Sequence, residues 1–223
     1  MKSLEGGEPY VNIDKIKSFL DSFEYPLAYF DFETFDTGVP IYDKSKTWQK
    51  IPFQYSIHVE DKPNSLSYHS YFFPEDDKDP RRKLLEKLKK DIPASGSIVV
   101  YNMSFERDRL KELGRDFPEF KEWTDSIVER LVDLAIPFKN KDYYHRDLKG
   151  KHSIKKILPL LTEEGYDDLD IQDGGIASVK YYNMFLKGKG GDMNKLKNDL
   201  IKYCNLDTKA MIDVFYALKR LVS

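Results

Sequence analysis

Leu27-Ala28-Tyr29-Phe30-Asp31-Phe32-Glu33-Thr34 decides how this chain is read. A mostly apolar run of this length reads as a buried strand, and two carboxylates closing it are costly to bury unless a cation compensates them. Residues two apart in a strand point to the same face, about 6.6 Å from each other, so both side chains reach one centre. Asp31 and Glu33 therefore read as metal ligands.

On the N-terminal side, residues 1–10 contain Gly6-Gly7 and Pro9 and have the composition of a loose leader, or of a stretch inside a longer protein. Ile13, Ile16, Phe19, Leu20 and Phe23 recur at helical spacing, which predicts a short amphipathic helix before the first strand. Residues 1–26 are thus leader and helix, and residues 27–223 form one domain. After the strand over 27–35, a long connection from Asp36 to Pro52 leads to strands over 53–59 and 67–73, an antiparallel meander. Leu84, Leu85 and Leu88 mark a helix that stops before Pro93, and Ser97 to Tyr101 reads as a buried fourth strand. The remainder reads as helices over about 104–113, 118–131, 153–161, 176–187 and 192–221, with Gly188 to Gly191 as a hinge or tip.

Bulk properties exclude more than they assign. The chain carries 36 basic against 38 acidic residues, a net charge of −2, so a nucleic-acid partner needs a local basic patch. Its single cysteine, Cys204, forms no intrachain disulfide and fits a reducing compartment. No apolar stretch has the length of a membrane span, and no signal-peptide core stands at the N-terminus, so the expectation is a cytoplasmic protein without a membrane partner.

Two further motifs carry acids. Tyr101-Asn102-Met103-Ser104-Phe105-Glu106 is a strand end turning into a helix, where Ser104 can cap and Glu106 can simply complement the helix dipole. In Tyr203-Cys204-Asn205-Leu206-Asp207, Tyr203 and Asp207 share a helix face one turn apart. Each is commonplace alone. In this order, Asp-x-Glu, then Asn-x-x-Phe-acid, then Tyr-x-x-x-Asp, they resemble the DEDD superfamily of 3′–5′ exonucleases, in its tyrosine-containing branch. Val132-Asp133-Leu134-Ala135 and His152-Ser153-Ile154-Lys155-Lys156-Ile157-Leu158 look like stretches of proofreading-type exonuclease domains. More narrowly, Phe30 to Thr34, Ile51 to Ser56, Gly96 to Phe105 and Ile171 to Gly175 resemble a bacterial domain family of unknown function, often found at the C-terminal end of larger proteins.

The resemblance implies an α/β ribonuclease-H-like fold, a mixed sheet whose first three strands are antiparallel and whose later ones are parallel, flanked by helices. It implies two Mg²⁺ or Mn²⁺ ions, Asp31 bridging both, Glu33 and Asp207 completing one, and Glu106 holding or orienting the other. Two such ions about 3.5–4 Å apart acidify an attacking water and stabilise a leaving oxygen. Oxygen ligands suit those metals, and no Cys/His cluster suits zinc. Tyr203 would orient water as a neutral hydroxyl. The superfamily has Asp where this chain has Glu106, with Asp108 two residues on; the histidine branch would need His at position 202, which is Lys202. The implied activity is 3′–5′ hydrolysis of single-stranded DNA or RNA. The alternatives are an inactive module of the same fold that binds nucleic acid or protein within a larger protein, and a phosphodiesterase of very short oligonucleotides or nucleotides.

Cations interleaved with aromatics from Lys139 to Lys156 suit a single-strand channel as well as a solvated loop. Tyr42, Lys44, Lys46, Trp48 and Lys50 follow the acid pair and either border a cleft or pack. Arg81-Arg82-Lys83 reads as an exposed helix face, Asp173-Gly174-Gly175 as a turn that starts a helix, His152 as a cap or packing residue, and Cys204 as a small buried side chain.

Overall fold

A computed structural model describes residues 7–167, 169–189 and 191–223. The elements in chain order are β1 (Tyr10–Val11), α1 (Ile13–Leu20), β2 (Leu27–Phe35), β3 (Ile51–Lys62), β4 (Ser65–Phe72), α2 (Arg81–Asp91), β5 (Ile98–Val100) and α3 (Ser104–Asp116). There follow α4 (Lys121–Glu129), β6 (Leu131–Asp133), α5 (Ile136–Lys139), β7 (Tyr143–Tyr144), α6 (Ile154–Leu161), α7 (Gly174–Lys180) and α8 (Met193–Leu221). Five strands form one mixed sheet in the order β4-β3-β2-β5-β6. β2, β3 and β4 are antiparallel neighbours, whereas β5 runs parallel to β2 and β6 parallel to β5.

The alternation of β2 divides the core. Leu27, Tyr29 and Phe35 pack with α1, α6 and α8, while Ala28, Phe30 and Phe32 pack with α2, α3 and α4 on the opposite face. Asp31 and Glu33 share the parity of the first set, so the strand's period of two aims both carboxylates at the α8 side. Pairing of β2 with β3 shifts between Glu33↔Gln54 and Thr34↔Pro52, which leaves Phe53 as the extra residue of a bulge at the level of the acids. Phe53 stacks on Tyr181 with ring centroids 3.7 Å apart, and the Gln54 amide donates to the Leu200 carbonyl of α8 at 2.9 Å.

Several expectations are corrected. The helix read over 118–131 ends at Glu129, and Leu131–Asp133 forms the outer strand β6. The helix read over 176–187 begins at Gly174 and passes at Tyr181–Leu186 into a π-helix. The strand read over 53–59 runs from Ile51 to Lys62. In the leader, residues 1–6 lie outside the described residues, whereas Tyr10 and Val11 pair with Tyr144 and Tyr143. Of the glycine tip, Gly190 lies outside the described residues. Ser104 does not cap α3; Met103 holds that position without a side-chain bond. Arg81 is not on an exposed face: its guanidinium is buried, paired with Asp79 at 2.6 Å and Asp116 at 3.1 Å, and donates to the Asp43 carbonyl. It fastens the 36–50 connection to the helical layer.

Gly96 precedes β5 with φ +82°, and a Cβ there would sit 2.0 Å from the Pro26 carbonyl oxygen. Only glycine lets this turn close on the start of β2. Among the described residues, no helix is long and apolar enough to cross a membrane.

Candidate metal centre

Three separate segments deliver the acids. β2 supplies Asp31 and Glu33. At the end of β5 the chain turns through Asn102, whose φ of 70° is a left-handed conformation that asparagine tolerates. The Asn102 N–H donates to Asp133 Oδ1 at 2.9 Å, and Asp133 also accepts from the Ala135 N–H at 3.0 Å and Lys139 Nζ at 2.8 Å. Asp133, on the strand missing from the sequence reading, thereby holds the turn that sends Glu106 inward from the first turn of α3.

α8 supplies Tyr203 and Asp207, and its register is fixed by the residue beside Asp207. The Thr208 hydroxyl lies 2.8 Å from Ser56 Oγ and 2.9 Å from His58 Nδ1, both on β3. These bonds join the middle of the helix to the middle of the sheet.

The expected residues converge. Asp31, Glu33, Tyr203 and Asp207 line one cleft of about 580 Å³, together with Tyr101 and Lys155. Glu106 lies behind it, almost wholly buried, with its carboxyl beside that of Asp31. Its Oε2 has no hydrogen-bond partner. Asp108 points away, exposed and paired with Arg107, so Glu106 is the acid of that motif that faces the cluster.

Burial pushes the Asp31 and Glu33 carboxyls well above the usual carboxylate range, and Asp207 and Glu106 push both higher. Burial likewise raises Glu106 to about 8 and Asp207 to about 6. Like charges close together in a desolvated site oppose ionisation, so the cluster without a counter-cation holds protons that ordinary carboxyls release.

Two residues that no spacing rule singled out organise the cleft. Lys155, the second residue of α6, donates to the Tyr203 hydroxyl at 2.7 Å and stands over the Tyr203 ring at 4.6 Å. Its charge opposes the upward shift of Glu33 and Asp207. The Tyr166 hydroxyl donates to Asp207 Oδ1 at 2.7 Å, fixing one carboxylate oxygen. Burial and the neighbouring carboxylates raise the Tyr203 and Tyr166 phenols far above their ordinary value, so both stay neutral donors.

Cys204 is fully buried as read, and it adjoins the acid pair: its Sγ lies 3.8 Å from the Asp31 carbonyl and 4.0 Å from Asp31 Oδ2. One donor atom each from Asp31, Glu33 and Cys204 fall within 4.8 Å of one another. Burial keeps the thiol protonated, a neutral group against the carboxylates.

The basic segment resolves unevenly. Tyr143 is buried, Tyr144 pairs with Tyr10 and Lys139 is tied to Asp133; of this segment's cations, Lys155 lines the cleft. Asp173 caps α7 by accepting from the Ile176 N–H at 2.9 Å, and Gly174 brings that helix start against Glu33. His152 accepts from the Tyr101 hydroxyl through its carbonyl, and Ser153 stands at the cap of α6.

The donor set suits a hard divalent cation: clustered carboxylates, raised in pKa by one another, with an orphaned buried oxygen on Glu106. These features define a mixed α/β domain with a polyanionic cleft at its central strand. The chain belongs to the family described as "Domain of unknown function (DUF2779)", whose profile matches residues 28–153. That match contains Asp31, Glu33 and Glu106 and stops short of Lys155, Tyr203 and Asp207. The chain is 30% identical over 233 residues to "Uncharacterized protein MG366" of Mycoplasma genitalium, covering 94% of this chain and 34% of the relative. It is 26% identical over 220 residues to "Uncharacterized protein UU173" of Ureaplasma parvum, covering 87% and 31%. The chain thus spans about a third of the length of these relatives. No solved structure matches it.

Proposed function

We propose that this domain is a divalent-metal-dependent 3′–5′ exonuclease that hydrolyses phosphodiester bonds in single-stranded DNA or RNA, on a ribonuclease-H-like fold. The observation that carries the reading is the gathering of Asp31, Glu33, Glu106 and Asp207 around one cleft in which Lys155 is the ammonium acting on Glu33 and Asp207, the other lining lysine, Lys50, being paired with Asp36. Four carboxylates cannot all ionise there without further positive charge. The sheet order, three antiparallel strands followed by two parallel ones, supports the fold assignment.

Asp31, Glu33 and Asp207 would hold Mg²⁺ or Mn²⁺, with Glu106 holding or orienting a second ion. Bound ions supply Lewis acidity toward a phosphoryl oxygen and make an attacking water more acidic. The chain's own groups do the positioning. Lys155 donates to the Tyr203 oxygen, which leaves the phenolic proton of Tyr203 to be donated in turn, to Asp207 or to a water or phosphate oxygen in the cleft. Tyr203 acts as a neutral orienting hydroxyl, because its raised pKa removes it as a base. Tyr166 donates to Asp207 Oδ1 and so fixes the orientation in which this carboxylate would meet a cation.

The test uses 5′-labelled single strands with Mn²⁺ or EDTA. A ladder of shortened products with metal, lost in Asp31→Ala and Asp207→Ala, is the expected result. Metal-dependent hydrolysis that persists in both variants overturns the reading. Lys155 favours one second reading, a non-catalytic module of the same fold, since its ammonium is an internal counter-charge; binding without hydrolysis under every metal condition selects it.

A further inference from the structure

We infer that Trp48 is a stacking platform for an unpaired base of a single strand whose end lies in the acidic cleft, an inference that rests on the nuclease reading above. Trp48 is 68% exposed, although the connection that carries it is fastened at Arg81 and Asp116. Its backbone adopts φ 59°, a conformation that bulky residues rarely accept and that persists only where the surroundings impose it. The surroundings are specific. The Trp48 N–H donates to the Thr37 carbonyl at 2.9 Å, and the indole rests on Gly38, where a Cβ would lie 3.3 Å from Cζ2. A large aromatic is thus seated on a glycine and presented to solvent rather than folded into the core.

The position continues the cleft. A second hollow of about 510 Å³ is lined by Asp36, Val39, Ile41, Trp48, Tyr182 and Lys187, and Asp36 with its ion-pair partner Lys50 also lines the acidic cleft. Lys187 Nζ stands 5.3 Å from the centre of the Tyr182 ring, so the hollow combines two aromatics with a cation. Tyr182 belongs to the π-helix Tyr181–Leu186, the irregular segment whose Tyr181 stacks on the bulge residue Phe53 beside the acids. Aromatic faces with lysines along a groove match the alternation of bases and phosphates in a single strand. An apolar peptide would satisfy Val39, Ile41 and Trp48 but leave Lys187 without an anionic counterpart. The platform recognises stacking and charge, so DNA and RNA are both accepted.

The experiment follows binding rather than turnover. In a Trp123→Phe protein, Trp48 is the remaining indole, because the chain has two tryptophans. Titration with 5′-fluorescein octathymidylate and octauridylate in Ca²⁺ is expected to quench its emission at the concentrations where anisotropy reports binding. Trp48→Ala is expected to raise Kd roughly tenfold or more, the loss of about one stacked base, and Trp48→Phe to recover most of it. Unchanged Kd in Trp48→Ala together with unquenched emission overturns the proposal, as does failure of the parent protein to bind either strand. Cleavage with Mn²⁺ that is indifferent to Trp48 would sink the platform and keep the nuclease; quenching without cleavage under any metal would do the reverse.

Discussion

Lys155 Nζ lies 2.7 Å from the Tyr203 hydroxyl, so the cation that acts on Glu33 and Asp207 hydrogen-bonds a phenol rather than a carboxylate. Its Coulombic help to Glu33 and Asp207 comes through space. Lys155→Met should therefore uncouple two effects. Hydrolysis should fall by about 10- to 100-fold as Tyr203 loses its partner, up to the loss that a misplacement of about 1 Å causes, while metal affinity should rise or stay level because a competing positive charge is gone. Steady-state rates at saturating Mn²⁺ with a calorimetric metal titration separate the two. A fall in metal affinity would contradict this account.

The acid cluster should make the metal-free protein less stable as pH rises. Carboxyls whose folded pKa is raised contribute stability that is complete below their unfolded values and is lost as pH climbs through the folded ones, here through about 6 for Asp207 and about 8 for Glu106. Between pH 6 and pH 9 in EDTA, the melting temperature should drop by on the order of 5 °C, since each 1 kcal/mol is about 2–4 °C at this size. Mn²⁺ at pH 8 should restore it with release of protons, readable by calorimetry in buffers of different ionisation enthalpy. A flat profile in EDTA would refute the charge crowding.

Removing one charge should stabilise what it inactivates. Asp31→Asn keeps the shape but removes a carboxylate from beside Glu33, Glu106 and Asp207. The metal-free melting temperature at pH 8 should rise by roughly 2–4 °C per kcal/mol of relieved repulsion, and activity should vanish. A melting temperature below that of the parent in EDTA would argue that the carboxylate is structural.

Glu106 is testable by length and by charge. Glu106→Asp should retain measurable activity and Glu106→Gln should lose about 100-fold or more, because a neutral amide cannot balance a cation. Asp108→Asn, at an exposed ion pair with Arg107, should leave rates within a factor of two.

Arg81 should be among the most destabilising positions outside the cleft. Arg81→Met leaves the buried Asp116 with Arg115 and Gln49 but without the guanidinium on Oδ2, a loss of about 3 kcal/mol, the lower end of the range for removing one partner of a buried pair. Urea unfolding at constant m-value measures it; a cost below about 1 kcal/mol would show that water replaces the guanidinium.

Much of the site was legible from local periodicity. Asp31 and Glu33 share a face because a strand alternates, and Tyr203 and Asp207 share one because a helix repeats every 3.6 residues; both rules act within a few residues and need no tertiary information. β6 was hidden because Leu131-Val132-Asp133 is three residues long and continues the apolar rhythm of α4, so its strand identity comes from pairing with β5. The π-helix at Tyr181–Leu186 likewise follows from packing on Phe35 and Phe53.

The sequence by itself determined which acids exist, which neighbours they share a face with, and the strand and two helices that carry them. Only the tertiary structure decided that Glu106 rather than Asp108 turns inward, that Lys155 and Tyr166 reach Tyr203 and Asp207, and that Arg81 is buried while Trp48 is exposed. The reason is one of range. Backbone periodicity is local, whereas burial and Coulombic crowding arise among residues as far apart as Asp31 and Asp207, which meet only after the sheet and α8 have packed.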